Sequence, residues 1–209
     1  MNEKKHIIYK GAEAEIKLET YMGHTVILKK RIPKSYRIKQ LDSFLISTRT
    51  KEETKLMTES RLYGVSIPII YDVDLKNGVI TMEHLQGRRV KDILDKLDEP
   101  KRVRICREIG IAIARLHNNN IIHGDITTSN MILMDDRIHF IDFGLGEKNS
   151  EIEAKGVDLH VLKEAIDSTH PRYSYCFKHV LEGYSMELHF DADRIVKKIN
   201  EIEKRGRYR

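Results

Sequence analysis

The stretch "HGDITTSN" at residues 123–130 decides how the rest of the sequence is interpreted. It places a carboxylic acid, Asp125, and an amide, Asn130, five residues apart, directly after the apolar run Ile121-Ile122. Twelve residues beyond Asn130, a second acid, Asp142, opens the string "DFG". A single aspartate in a loop is usually a turn former or a helix cap. The ordered set of acid, amide and second acid is much rarer, and it indicates a catalytic site.

Length and composition indicate an ordinary globular chain. The 209 residues suffice for one large domain or two small lobes. Hydrophobic residues make up 40% and charged residues 33%, as in typical soluble proteins. Cys106 and Cys176 are distant in the sequence and suggest neither a disulfide framework nor a zinc site, so we expect a reducing, cytoplasmic location. The opening residues lack the apolar core of a signal peptide, and no apolar run approaches the roughly 18 residues of a membrane span.

Hydrophobic periodicity divides the chain into a strand-rich part and a helical part. Alternating runs at 6–10, 15–22, 24–31, 67–74 and 78–84 predict strands, and 40–64 predicts one main helix. Beyond Gly87, helices are predicted at 89–97, from Asp98 through Leu116, and at 154–167, 171–184 and 191–204, with a hairpin at 131–142. We expect an α+β fold with a small strand-rich lobe over residues 1–86 and a mostly helical lobe over residues 87–209, together forming one domain.

Phosphoryl transfer from ATP explains the ordered acids and amide, because it requires a positioned nucleophile and neutralised phosphates. Asp125 is expected to orient or deprotonate the attacking oxygen. Asn130 and Asp142 are expected to bind Mg²⁺, which prefers hard oxygen ligands. The order acid, amide, strand pair, Asp-Phe-Gly is typical of protein kinases.

A kinase centre also requires a lysine on the third strand and a glutamate on the following helix. Lys29 has the required register, because side chains alternate along a strand and Lys30 must point to the other face. Glu52 and Glu53 are both candidates on the helix, and adjacent helical positions differ by about 100°. We prefer Glu53, which shares a face with Leu56 and Met57.

The expected nucleotide pocket is less sharply marked. The phosphate-covering loop "YKGAEAEI" at 9–16 keeps one glycine, Gly11, and small alanines, so the backbone of Gly11, Ala12 and Glu13 is expected to approach phosphate. In the hinge string "ITMEHLQG" at 80–87, backbone groups near Glu83 and Leu85 are expected to bond the adenine edge, with Met82 behind it. Apolar side chains that we expect to sandwich the base are Ile8, Ile16, Ile27, Ile132 and Ile141. Each of these isoleucines alone is equally typical of ordinary core.

Position 124 departs from the usual His-Arg-Asp of regulated kinases, whose arginine binds a phosphate on the activation loop. Gly124 has no side chain for that role. Only 13 residues, 145–157, separate Gly144 from the helix around Asp158, and no Ala-Pro-Glu follows. We therefore expect a centre that loop phosphorylation does not switch and that does not bind a linear peptide substrate well.

The sequence resembles the small atypical kinases of the KEOPS (EKC) complex, which are relatives of the RIO kinases. The strings that carry the resemblance are "GAEAEI", "LKKRIPKSYRIKQLD", "HGDITTSN", "IDFGLG", "KGVDLHVLKEA" and "RGRYR". The resemblance implies a minimal bilobal kinase fold, ATP and Mg²⁺ as cofactors, and classification as a serine/threonine kinase that works mainly as an ATPase. It also implies a partnership with the threonylcarbamoyl-transferase subunit and other KEOPS subunits, which make threonylcarbamoyladenosine in transfer RNA. Some archaea fuse the kinase to this transferase.

The basic end of the chain has two possible explanations. The net charge is +5, and "VKKINEIEKRGRYR" at 196–209 carries much of the excess. A solvated helix end explains this, and so does phosphate contact with tRNA through Arg205, Arg207 and Arg209, which the family resemblance favours.

Two rival functions remain open from the sequence. Small-molecule phosphotransferases of the aminoglycoside or choline kinase type also favour His-Gly-Asp, but they usually carry helical insertions for which this chain is too short. A pseudokinase scaffold is the second rival, although no catalytic position is visibly substituted.

Overall fold

The structure is a computed structural model that describes residues 6–11, 13–190 and 192–206. The chain groups into two compact units. The first comprises Met1–Thr58 and Pro68–Gln86, and the second comprises Glu59–Ile67 and Gly87–Arg209. The first unit is dominated by an antiparallel sheet and the second by helices, so the α+β fold class that the sequence predicted is observed.

A five-stranded antiparallel sheet forms the first unit, in the order β1-β2-β3-β5-β4. The strands are β1 His6–Lys10, β2 Ala14–Tyr21, β3 His24–Arg31, β4 Ile70–Asp74 and β5 Val79–Glu83. Met22 and Gly23 join β2 to β3 with φ angles of 48° and 82°, as a tight hairpin turn requires. On β3, Lys29 and Arg31 are buried whereas Lys30 between them is exposed, so the strand alternation predicted for the lysines is observed.

Helix α1, Lys39–Leu62, begins after a loop that its own first turn holds in place. Asp42 is buried, and its carboxylate accepts hydrogen bonds from the backbone N–H of Lys34 at 3.1 Å and from Arg37 at 3.3 Å. The string "IPKSYRIKQLD" at 32–42 therefore forms a loop and the start of the helix. One carboxylate stabilises both, because it accepts hydrogen bonds from a backbone and an arginine donor near the helix N-terminus.

Residues 59–67 group with the second unit, which the sequence did not predict. Backbone bonds of this segment reach deep into that unit: the N–H of Phe140 donates to Ser66 O at 2.9 Å. Side chains add to them, since Arg115 donates to Gly64 O at 3.0 Å and Lys148 lies 2.5 Å from Glu59. The last turn of α1 is thus anchored by the helical unit.

Two closely packed helices form the centre of the second unit. They are α3, Glu99–Asn118, and α5, Cys176–Glu187. The carboxylate of Asp98 caps α3 by accepting from the N–H of Lys101 at 2.9 Å, and Pro100 occupies its first turn. A Cβ on Gly110 would lie 1.9 Å from Val180 O, and one on Gly183 would lie 2.0 Å from Arg107 O. Glycine at both positions is what allows the two backbones to approach this closely.

The remaining elements of the second unit are short strands and three further helices. The strands are β6 Arg88–Arg89, β7 Ile121–Ile122, β8 Met131–Met134, β9 Arg137–Phe140 and β10 Glu147–Lys148. The helices are α2 Val90–Ile93, α4 Ile152–Thr169 and α6 Ala192–Gly206. Strand β8 turns into β9 through Asp135 and Asp136, both at positive φ, as the predicted hairpin requires.

Cys106 and Cys176, distant in the sequence, lie in contact where α3 faces α5. Both thiols are free and buried. The hydrogen bond between them raises the pKa of Cys106, with burial adding to the rise, and lowers the pKa of Cys176. Within the described parts of the chain, no helix is long and apolar enough to span a bilayer.

Candidate active site

Asp125 and Asn130 are joined by direct hydrogen bonds within the loop that follows β7. The side-chain amide of Asn130 donates to the carboxylate of Asp125 at 2.7 Å and to its backbone carbonyl at 2.9 Å. A single 3₁₀ turn, Thr128–Asn130, produces this approach. With its amide N–H groups directed to Asp125, Asn130 presents its carbonyl oxygen as the atom that can ligate a cation.

Asp142 lies next to Asn130 through the backbone, because the N–H of Ile141 donates to Asn130 O at 3.0 Å. Its φ is +63°, a left-handed conformation that costs free energy and that is tolerated best by aspartate, asparagine and glycine. The carboxylate accepts from the N–H of Gly144 at 3.1 Å, and the residue is exposed. The following Phe143 is buried.

His123 connects the two acidic segments. Its Nδ1 lies 3.4 Å from the N–H of Asp125 and accepts from it, so its Nε2 carries the proton and donates to Ile141 O at 3.2 Å. Its ring lies 4.4 Å from the ring of Phe143. Burial lowers the pKa of His123, so the imidazole is neutral and keeps this pair of bonds at neutral pH.

Asp158 of α4 holds the backbone ahead of Asp125. Its two carboxylate oxygens accept from the N–H groups of His123 and Gly124, both at 2.9 Å. His117 Nε2 lies 3.2 Å from the same carboxylate, and Tyr184 donates its hydroxyl to His117 Nδ1 at 2.8 Å. Burial alone would raise the pKa of Asp158, but the hydrogen bonds from His117 and His123 hold it below its usual value. The sequence did not single out this set of buried hydrogen-bonded side chains. Its one sign in the sequence was an aspartate within the helical pattern at 154–167.

The structure gives a steric explanation for glycine at position 124, in addition to the absence of a role for arginine there. Its φ is +82°, and a Cβ there would lie 2.2 Å from the carbonyl oxygen of Leu145. No side chain fits at such a position without a shift of backbone. The backbone conformation at Gly124 therefore excludes an arginine at this position. The contact that such an arginine makes with an activation loop is excluded with it.

The connection after Asp-Phe-Gly is short, as the sequence predicted. Helix α4 begins at Ile152, two residues before the predicted start at 154, so seven residues, 145–151, form the connection. Two of them form β10, which pairs with β7 in the register Glu147↔Ile122 and Lys148↔Ile121. The segment is therefore tied to the strand that leads into the catalytic loop.

In the first unit, the structure brings Lys29 and Glu53 together. Lys29 Nζ lies 2.6 Å from Glu53 Oε1, and both residues are buried, at 5% and 1% exposure. Lys30 and Glu52, the alternatives from the sequence, are exposed. A further cation that the sequence did not single out, Arg31, lies 2.6 Å from the other oxygen of Glu53.

Backbone hydrogen bonds hold two of the phosphate-loop candidates, Gly11 and Glu13. The N–H of Gly11 donates to Ala14 O at 3.0 Å, and Glu13 O accepts from the N–H of Ile32 at 2.9 Å. The carboxylate of Glu13 is turned to Arg49 of α1, 3.6 Å away. That contact accounts for an acid in a loop expected to approach phosphate. Ala12 lies outside the described residues.

The adenine-pocket candidates differ in burial. Met82 and Leu85 are buried, and Met82 pairs across the sheet with Ile27. Ile16, Ile132 and Ile141 are half-buried, whereas Ile8 is 53% exposed. The N–H of Glu83 donates to Ile69 O at 2.8 Å.

A polar groove of about 980 Å³ lies beside the catalytic loop in the second unit. Its lining includes Thr127, Ser129, His160, Lys163, Asp167 and Glu203. Lys163 is paired with both Asp167 and Glu203, at 2.9 and 3.1 Å, so the wall is rich in fixed charge. This groove was not predicted.

Of the basic tail, Arg205 lies in the last turn of α6 and pairs with Glu153 of α4 at 2.9 Å. The pair is exposed and contributes little to stability. Arg207 and Arg209 lie outside the described residues.

The sequence is similar to known proteins of one family. Residues 4–164 match the protein kinase domain family. The sequence is 46% identical to the KEOPS complex subunit Bud32 of Pyrococcus abyssi, over 97% of this chain and 96% of that protein. It is 40% identical to the "Probable serine/threonine-protein kinase BUD32 homolog" of Archaeoglobus fulgidus, over 96% of this chain and 95% of that protein.

Longer relatives contain the same region as one part. A "Probable bifunctional tRNA threonylcarbamoyladenosine biosynthesis protein" of Methanobrevibacter smithii is 44% identical over 97% of this chain. This chain spans 37% of that protein's length. The relatives thus include a protein of about this length and a longer, bifunctional protein of which the matching region is 37%.

Proposed function

Because this chain belongs to the protein kinase family, and within it to the Bud32 kinases, we propose that it is an ATP- and Mg²⁺-dependent kinase and ATPase of a KEOPS complex. Its work would support the formation of threonylcarbamoyladenosine in tRNA, the product named for the longer relatives. The family itself is that of kinase-type phosphotransferases, which use ATP and a divalent metal.

The observation that carries the proposal is the pair of hydrogen bonds from Asn130 to Asp125. They fix the orientation of the carboxylate and leave the amide oxygen as a metal ligand, which is the division of roles that phosphoryl transfer requires. Asn130 and Asp142 together supply neutral and charged hard oxygens, the donor chemistry that fits Mg²⁺. When bound, the metal would neutralise charge on the phosphates.

The residues of the chain would then divide the remaining work. The acceptor oxygen forms a bond to the γ-phosphorus of ATP as the bond from that phosphorus to the β,γ-bridging oxygen breaks, and ADP leaves. Asp125 would orient the acceptor and take its proton. Lys29, held by Glu53, would contact the phosphates, and the backbone of Glu83 and Leu85 would position the base.

The acceptor is either water or a hydroxyl of another molecule. The short connection 145–151 offers little platform for an extended peptide, which favours water. The groove lined by Thr127 and Ser129 offers room beside the loop for a larger acceptor, so the experiment must measure both products. The names of the relatives favour this function over an aminoglycoside or choline kinase.

The test measures phosphate release and γ-phosphoryl transfer by the purified protein, alone and with the KEOPS transferase subunit and tRNA. We expect Asp125→Ala and Asp142→Ala to lower both by at least about 1,000-fold, because the first removes the proposed base and the second a proposed metal ligand. Asp72→Ala, an exposed aspartate of β4, is the matched control and should change neither. Retention of Mg²⁺-dependent turnover by Asp142→Ala would refute the metal assignment.

The basic tail has its own arm in this experiment. Deletion of 205–209 should leave ATP turnover by the isolated protein within about twofold of wild type, since an exposed ion pair is worth less than 1 kcal/mol. The same deletion should lower the stimulation by tRNA, and equal stimulation with and without the tail would exclude a tRNA contact there. ATP binding without turnover in every condition would instead indicate a scaffold.

A further inference from the structure

One buried carboxylate in the first unit is shared by two cations. Glu53 places one oxygen 2.6 Å from Lys29 Nζ and the other 2.6 Å from a guanidinium nitrogen of Arg31. The three residues are 1%, 5% and 6% exposed, respectively. The two cations are two residues apart on β3, so strand alternation places them on the same face.

The surroundings keep Arg31 at this position. Its backbone N–H donates to Gly78 O at 2.9 Å, in the turn between β4 and β5. Gly78 has φ of +63°, and a Cβ there would lie 2.3 Å from Ile46 of α1 and 3.5 Å from the Cβ of Arg31. The stem of the arginine is thus confined between a close turn and the helix that carries Glu53.

The hydrogen bonding of Arg31 is not optimised for stability alone. Its Nε is buried and has no hydrogen-bond partner among the described residues. A buried donor left without a partner is costly, so an arginine that served only to stabilise the fold would be expected to satisfy this atom. The ion pair between Arg31 and Glu53 is therefore kept although the Nε donor of Arg31 is left without a partner in the part of the chain that the structure describes.

The charges of the three groups have a consequence for phosphate binding. Lysine and glutamate alone would form a neutral pair, and an ammonium that turned to a phosphate would leave the buried carboxylate uncompensated beside an anion. The guanidinium of arginine is a cation, so one carboxylate and two cations together carry one net positive charge. Glu53 then keeps a hydrogen-bonded cation whatever Lys29 contacts.

We propose that Arg31 is a positioning residue that holds Glu53 and keeps the Lys29 ammonium available to nucleotide phosphates. The proposal rests on the proposed function, in which Lys29 contacts ATP. The sequence predicted a pair of one lysine and one glutamate, and the proposal adds Arg31 as a second cation that binds the same glutamate.

The experiment compares ADP with adenosine as ligands of the purified chain, by calorimetry in Mg²⁺. Arg31→Met removes one of the two cations from Glu53, and we expect ADP affinity to fall about 10- to 100-fold, the equivalent of one charge-assisted hydrogen bond. Adenosine carries no phosphate, so its affinity should stay within about twofold. Arg31→Lys keeps the charge and should retain ADP affinity to within about fivefold.

Lys30→Met is the matched control, because it removes an exposed cation from the opposite face of the same strand. It should change the affinity of neither ligand. Equal loss of ADP and adenosine in Arg31→Met, or no loss of either, would overturn the proposal. Arg31→Gln replaces the methionine variant where that does not fold, and if neither neutral variant folds whereas Arg31→Lys does, the residue is assigned to stability and the proposal fails. Failure of wild type to bind ADP would instead sink the proposed function itself.

Discussion

Replacing Gly124 by alanine separates two explanations for the absence of arginine before the catalytic aspartate. If arginine is missing only because no activation loop requires it, alanine should be harmless at this position. The structure indicates the opposite, because a Cβ on Gly124 would lie 2.2 Å from Leu145 O and 2.7 Å from its carbonyl carbon. Both contacts are with backbone, which cannot rotate away as a side chain can.

The expected magnitude follows from two contributions. A left-handed φ costs an alanine about 1–2 kcal/mol relative to glycine, and a forced backbone shift in packed surroundings adds about 1–3 kcal/mol. Gly23 provides a matched control, since it has the same φ of +82° but nothing within 4 Å of its Cβ. Gly23→Ala should therefore show the conformational cost alone. The gain from a stiffer unfolded chain is common to both variants and cancels in their difference.

Urea unfolding at pH 7 measures the two free energies, and ATP turnover measures the effect on the site. We expect Gly124→Ala to be about 1–3 kcal/mol less stable than Gly23→Ala. We also expect it to lose about 100-fold in turnover, because the displaced backbone carries Asp125 with it. Gly124→Arg should be no more active than alanine. A difference below about 0.5 kcal/mol between the two alanine variants, with normal turnover, would refute the steric argument.

Two further predictions concern buried charge. Glu53→Gln should cost about 3–5 kcal/mol of unfolding free energy because it removes the carboxylate that two buried cations contact, whereas Lys29→Met leaves Arg31 on the carboxylate and should cost much less; equal losses in urea unfolding would contradict the sharing of Glu53. Burial lowers the pKa of His117 and His123 from 6.5, so the fold favours their neutral forms and unfolding takes up protons below pH 6.5. Stability should be constant above that pH and fall below it by up to about 1.4 kcal/mol per pH unit for each histidine, and a flat urea midpoint from pH 7.5 to 5.5 would exclude this.

Local signals were sufficient for much of the fold. The alternation of β3 placed Lys29 inside and Lys30 outside, and the acid and proline at 98–100 marked the start of α3, which Asp98 caps. Helix periodicity also preferred Glu53 over Glu52, and the structure buries only Glu53. These features depend on neighbours in the sequence, so the pattern alone can predict them.

Features that depend on distant backbone were not predictable. Strands β6 and β10 have two residues each, too few to show a period. The meeting of Cys106 with Cys176 depends on how two helices pack. The reason for Gly124 is a carbonyl 21 residues later in the sequence, and a missing side chain in a sequence does not reveal a steric conflict. Arg31 was missed although it lies two residues from Lys29 on the same strand face, a spacing that could have marked it.

The pairing of β10 with β7 determines where the protein can be labelled. A fluorophore, affinity tag or protease site placed within 145–151 would disturb the pairing with the strand that leads directly into the loop of Asp125 and Asn130. The hairpin tip at Met22 has the opposite properties, with 84% of that residue exposed and open space around the adjacent glycine. Sensors and immobilisation handles therefore belong at 22–23.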